Sequence, residues 1–180
     1  MRTAQCHRFF FALLPPRRAA CEIERLSFAL GGGRRVLSRH LHMTLAITGD
    51  FGTRPAGLAE RMMRMPADML LASFALELDR LSSSGRSLAL CPTAPPDRLR
   101  LLQAQLERAL RRSCLLRPEW TFSPHLTLLY RHDDYFFRPV APIGWQADEL
   151  ALVHSHVGLT RHDVLKSWPL SSGDKSALAA

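Results

Sequence analysis

The sequence predicts an α+β fold built on antiparallel sheets, and three observations carry that expectation. Strand-like and helix-like stretches are interleaved, in the order strand, helix, strand, helix, hairpin, helix and further strands. Two strand segments are joined by a Ser-Ser-Ser-Gly turn, the mark of an antiparallel pair. Gly31-Gly32-Gly33 follow a helix and read as its C-cap, so no glycine-rich phosphate loop opens a helix here. A parallel, doubly wound sheet fits this order less well.

Arg8 to Leu14 is rich in aromatic residues and closed by Pro15-Pro16, which predicts a strand. Arg17 to Leu30 carries Ala20, Ile23, Leu26, Phe28 and Leu30 among charged residues, as an amphipathic helix does, and the glycines end it. His40 to Thr48 predicts a second strand, ended by Gly49-Asp50. Pro55 to Met65 predicts a short helix that Pro66 stops. Phe74 to Leu78 and Ser87 to Leu90 form the hairpin. Pro95-Pro96-Asp97 then open the longest helix, running to about Leu115 with Leu99, Leu102, Leu106, Ala109 and Leu110 at helical spacing. Phe122 to Tyr130, Leu150 to Val157 and Val164 to Leu170 predict three more strands. Tyr135-Phe136-Phe137 reads as an aromatic loop cluster, and residues 172–180 as a flexible tail.

The chain has 180 residues, 47% hydrophobic and 22% charged, which suits one domain or two small lobes with a proper core. That aliphatic content excludes disorder. The apolar run from Phe9 to Pro16 is far below the roughly 20 residues of a membrane-spanning helix. It also lacks the cleavage site of a signal peptide, so a cytoplasmic protein with no membrane partner is expected. Cys6, Cys21, Cys91 and Cys114 contain no Cys-x-x-Cys pair and read as free thiols. A net charge of +8 favours an anionic partner such as nucleic acid. Of the 24 basic residues only Lys166 and Lys175 are lysine, a bias that genome composition explains as well as phosphate recognition does. Arg108, Arg111, Arg112 and Arg117 near the end of the long helix read first as a solvated face.

The informative feature is a repeated tetrad, His42-Met43-Thr44-Leu45 and His125-Leu126-Thr127-Leu128. Two chance occurrences are expected on the order of 0.002 times in such a composition. In a strand, alternate side chains share a face. His42 therefore lies beside Thr44, and His125 beside Thr127, with Met43, Leu45, Leu126 and Leu128 buried behind them. Two such faces across a cleft present two imidazoles and two hydroxyls. One neutral imidazole can take a proton from an attacking water while the other, protonated, gives one to a departing alkoxide, because imidazole titrates near neutrality. The hydroxyls can donate to the non-bridging oxygens of a phosphodiester. This chemistry requires no metal and no cofactor.

The paired His-x-Thr-x tetrads resemble the 2H phosphoesterase superfamily. Arg8 to Leu13, His42 to Asp50, Phe74 to Gly85, Phe122 to Leu128 and Leu165 to Leu170 resemble its RNA 2′,3′-cyclic phosphodiesterase branch, also called 2′-5′ RNA ligase. The resemblance implies a bilobal domain over residues 1–171, with two pseudo-symmetric antiparallel sheets backed by helices around a central cleft. It implies opening of a terminal 2′,3′-cyclic phosphate, on RNA or a small cyclic nucleotide, to a 2′-phosphate, with a reversible ligase activity as a secondary property. By the family pattern His42 is the proton donor and His125 the acceptor, with Thr44 and Thr127 on the phosphate. Sequence alone does not assign those two roles. The family often follows the second tetrad with Ala-Arg, whereas this chain reads Leu129-Tyr130-Arg131. Strand parity then aims Tyr130 where that arginine points, and Arg131 reaches the phosphate only if the strand ends or bulges.

Phe9 and Phe11 share one face of the first strand and Phe10 takes the other. Core packing is the default for them. Stacking on a base at the cleft edge is the functional use open to Phe9 and Phe11, with Tyr130 as a further cleft contact. His40 shares a face with His42, and His154-Ser155-His156 is a second His-x-His pair that could chelate a metal. No carboxylate or cysteine pairs with either in sequence, so no metal is expected. The protein is expected to be a monomer. Two competing readings are a non-catalytic module that binds RNA ends and a metal-dependent hydrolase using the His-x-His pairs.

Overall fold

The computed structural model describes residues 6–171, so the expected tail lies outside the described residues. Among the described residues nine strands form two antiparallel sheets, in agreement with the α+β expectation. The first sheet contains β1 (Cys6–Leu13), β3 (Met43–Ile47), β8 (Glu149–Val157) and β9 (Arg161–Pro169), in the order β3-β1-β8-β9. The second contains β2 (Arg34–Arg35), β4 (Phe74–Ser83), β5 (Ser87–Cys91), β6 (Leu126–Tyr130) and β7 (Phe136–Ala147), in the order β2-β6-β5-β4-β7.

Three α-helices among the described residues accompany the sheets. The first, α1 (Arg17–Leu30), buries Ala19, Ala20, Ile23 and Ser27 as one stripe. It follows a strand of the four-stranded sheet but packs against β6 and β7 of the other. The third, α3 (Asp97–Arg112), buries Leu99, Leu102, Leu106 and Leu110 and reciprocates by packing on β3. Between them α2 (Leu58–Arg64) runs into a 3₁₀ turn, Met65–Asp68. The crossed helices merge the cores of both sheets into one apolar cluster, which holds Phe9, Phe11, Met43, Leu45, Leu126 and Leu128 together. No helix among the described residues is long and apolar enough to cross a membrane.

The strand β7 corrects the sequence reading, which took Phe136 and Phe137 for a loop and expected no strand from 138 to 147. Pro139 and Pro142 mask it, since proline cannot donate to a ladder. The strand is tolerated because it lies at a sheet edge, paired on one side with β4 from Phe74↔Ala147 to Ser83↔Phe136. The hairpin also extends through Ser82 and Ser83, which the sequence placed in the turn. Both tetrad strands start later than expected. Pro124 breaks the segment Phe122–Tyr130, so β6 begins at Leu126, and a 3₁₀ turn over Ser38–His40 precedes β3.

Gly33 shows why the glycine run is more than a helix stop. It sits at φ +80°, and a Cβ there would lie 2.6 Å from the Tyr130 carbonyl oxygen. Only glycine lets the chain turn this close to β6 and deliver Arg34 opposite Tyr130.

Candidate active site

Although β3 and β6 belong to different sheets, they approach each other, and this brings the two tetrads together. His42 and His125 each stand one residue ahead of their strand. Both are anchored in the same way. Nδ1 of His42 donates to the carbonyl of His40 at 2.7 Å, and Nδ1 of His125 donates to the carbonyl of Ser123 at 2.8 Å. A carbonyl can only accept, so Nδ1 carries the proton in the neutral rings and Nε2 is the nitrogen that titrates.

The two environments differ. His42 is half-buried, with Phe10 stacked on its ring at 4.8 Å and the edge of His162 at 5.3 Å. Burial, then the charges of His125 and His40, hold His42 below the ordinary imidazole value, against the pull of its backbone hydrogen bond. Burial and the neighbouring His42 and His40 push His162 down to about 4, so this ring is neutral at physiological pH. His125 is exposed. The pair thus joins one enclosed imidazole to one open to solvent.

A cavity of about 380 Å³ lies beside His42, lined among others by Arg8, Arg34, Arg35, Thr127, Tyr130 and His162. Arg34 lies over the Tyr130 ring at 4.5 Å. Arg8 is held in a paired contact with Asp50, whose carboxyl stays below the usual carboxylate range because of that bond. His125 borders a second trough of about 590 Å³, lined by Arg80, Ser82, Cys91, Tyr135 and Phe137 among others. Thr44, opposite Ala12 on β1, and Thr127, opposite Ala89 on β5, are half-buried.

Three expected contacts are corrected. Phe9 and Phe11 are 0% exposed in the main core, where their default reading puts them, so the base contact open to them is not made. Phe10, also buried, stacks on His42 from the opposite face, because the strand's alternation puts the helix-covered side at 9 and 11. Arg131 does not point at a phosphate. Its Nη1 donates to the carbonyls of Leu30 and Gly31 at 3.0 and 2.7 Å, and its Nε and Nη2 donate to Asp133. It ties the end of α1 to β6. Tyr130 lines the cavity.

Sequence reasoning missed His162, Arg8, Arg34 and Arg35. His162 lies opposite Ser155 in the β8–β9 hairpin, ahead of the point where hydrophobic alternation becomes visible. The +8 charge was the only sequence signal for the arginines.

A family model described as the 2′-5′ RNA ligase superfamily matches residues 15–159. Among solved structures, E. coli LigT with bound 3′-AMP superposes with a TM-score of 0.80 at 25% identity, covering 92% of this chain and 99% of that one. A protein described as a phosphoesterase gives 0.78 at 26% identity, covering 92% and 98%. TT0787 of Thermus thermophilus shares the fold, with a TM-score of 0.72 at 22% identity over 93% and 99%. E. coli LigT has also been crystallised with phosphate, ATP and NADP+. No curated protein matches this chain in sequence.

Proposed function

The chain belongs to the 2′-5′ RNA ligase superfamily, and from that premise we propose that it hydrolyses 2′,3′-cyclic phosphate ends to 2′-phosphomonoesters, with His42 and His125 as the acid–base pair. The substrate is an RNA end or a small cyclic nucleotide. The matched anchoring of the two histidines carries this reading. Each Nδ1 is bound to the carbonyl two residues back, so each ring offers one titrating nitrogen in a fixed orientation.

In the reaction a water oxygen bonds to phosphorus and the bond from phosphorus to the 3′ oxygen breaks. His125 takes the proton from the water, which suits the imidazole that solvent reaches. His42 gives a proton to the departing 3′ oxygen. Both rings end in the opposite protonation state and recover through solvent. Thr44 and Thr127 donate hydroxyl hydrogen bonds to the non-bridging oxygens, where negative charge sits throughout the reaction. Arg34 and Arg35, at the rim of the cavity, add positive potential for an anionic end. Two positioned imidazoles supply both proton transfers, so the step needs no Lewis acid.

The test is incubation with an oligoribonucleotide ending in a 2′,3′-cyclic phosphate, with EDTA in excess, resolving the 2′- from the 3′-monophosphate. Formation of the 2′-phosphate is the expected result. Binding of the cyclic end without turnover would replace the enzyme with a module that only holds RNA ends.

A further inference from the structure

A second imidazole cluster lies on the face of the four-stranded sheet turned away from the Phe10–His42 stack. His7 on β1 is the cross-strand partner of His156 on β8, and His154 lies two residues before it, opposite Phe9. The pleat puts all three on the face of Phe9 and Leu152. One ring nitrogen from each lies within 4.8 Å of the others. Nδ1 of His7 is 2.9 Å from Nε2 of His154, whose buried ring stacks flat on Phe9 at 4.6 Å. On β9, Asp163 is the cross-strand partner of His154 and sets Oδ2 2.8 Å from Nε2 of His156.

We propose that His7, His154 and His156 form a binding site for a transition-metal dication of the zinc class, with Asp163 orienting the ring of His156. Imidazole nitrogens suit zinc, copper and nickel, and a three-histidine set leaves one position open. Metal–nitrogen bonds of about 2.0–2.1 Å at tetrahedral angles place ligand nitrogens about 3.3 Å apart. The His7–His154 pair therefore has to open by only a few tenths of an ångström. A carboxylate on a histidine ring nitrogen is the usual outer partner of a metal-bound imidazole, and Asp163 occupies that place.

The arrangement is not visible in sequence, because His7 and His154 are 147 residues apart. A bound ion would tie three adjacent strands, β1, β8 and β9, at one end of the sheet whose other face carries the Phe10–His42 stack. Only His156 of the three borders the cleft cavity. The ion is thus a staple of the sheet, and the site does not rest on the reaction proposed above.

The experiment uses untagged full-length protein, stripped with a chelator and titrated with Co2+, whose visible absorption reports ligand number and type. One equivalent of Co2+ with a visible band, displaced by Zn2+ and accompanied by a rise in Tm, is expected. Asp163→Asn should weaken binding roughly 10–100-fold. His7→Gln should abolish the band, and this residue is only half-buried at a strand end, so circular dichroism can verify that the variant is folded. His42→Ala should keep the band. Absence of a visible band in the parent would overturn the site, and so would a band that survives His7→Gln. The latter would move the ion to His40, His42 and His162.

Discussion

The phenyl ring of Phe10 lies on the imidazole of His42, with centroids 4.8 Å apart and planes inclined by 27°. The stack fixes the plane of the imidazole while the His40 carbonyl fixes its Nδ1 edge. Phe10→Leu keeps an apolar side chain of similar size, and should cost less than about 1.5 kcal/mol of stability. It removes the flat surface, so kcat should fall by about ten- to a hundredfold with KM little changed, since small misplacements of a catalytic group cost rate before binding. A kcat equal to that of the parent would remove Phe10 from the positioning of His42.

Replacing either histidine removes one of two coupled proton transfers. His42→Ala and His125→Ala should each lower turnover of a cyclic phosphate by about 10²–10⁴. The double variant should fall little further than the worse single one, because the pair acts as a unit. Single-turnover rates under saturating substrate measure this. Near-full turnover in either variant would exclude that ring from the reaction.

The enclosure of His42 has a consequence for its role as acid. In the free protein burial and the nearby histidines favour its neutral form, whereas a donor must be protonated. The negative charge of the substrate must therefore restore the proton. Titration of the imidazole signals by NMR, with and without inorganic phosphate, should show the His42 value rising on binding. If it stays low while that of His125 rises, the acid and base exchange places.

Arg131 tests the corrected contact. Arg131→Ala removes the clamp on the Leu30 and Gly31 carbonyls and the pair with Asp133. A loss of about 1–3 kcal/mol is expected from these charge-assisted bonds, read as a lower midpoint in urea. KM for a cyclic phosphate should stay close to that of the parent. A large rise in KM at unchanged stability would return Arg131 to the phosphate.

His162 makes the fold sensitive to acid. Its pKa is about 4 in the folded protein against 6.5 for an unperturbed ring. Between those values the unfolded chain binds the proton that the folded one refuses, so stability falls as pH drops from 6.5 towards 4. His162→Gln should make the dependence of Tm on pH shallower across that window. An unchanged slope would show that His162 is solvated in the folded protein.

How far the sequence reaches is clearest at these same residues. Period-two alternation is local, so it put Phe10 on the face opposite Phe9 and Phe11, and it is the basis for expecting Thr44 beside His42 and Thr127 beside His125. Helical spacing likewise marked α1 and α3 to within a few residues at their ends. Alternation does not say which face a helix will cover, and the base contact left open for Phe9 and Phe11 falls on the covered one. The prolines of β7 erased a strand that only pairing with β4 could reveal. The junction of the two tetrads, the hold of Arg131 on α1, the ring of His162 beside His42, and the meeting of His7, His154, His156 and Asp163 were all decided by tertiary structure. Each depends on strand register and helix packing between segments distant in the chain, and those are set by the cooperative burial of the shared core, not by any local run of residues.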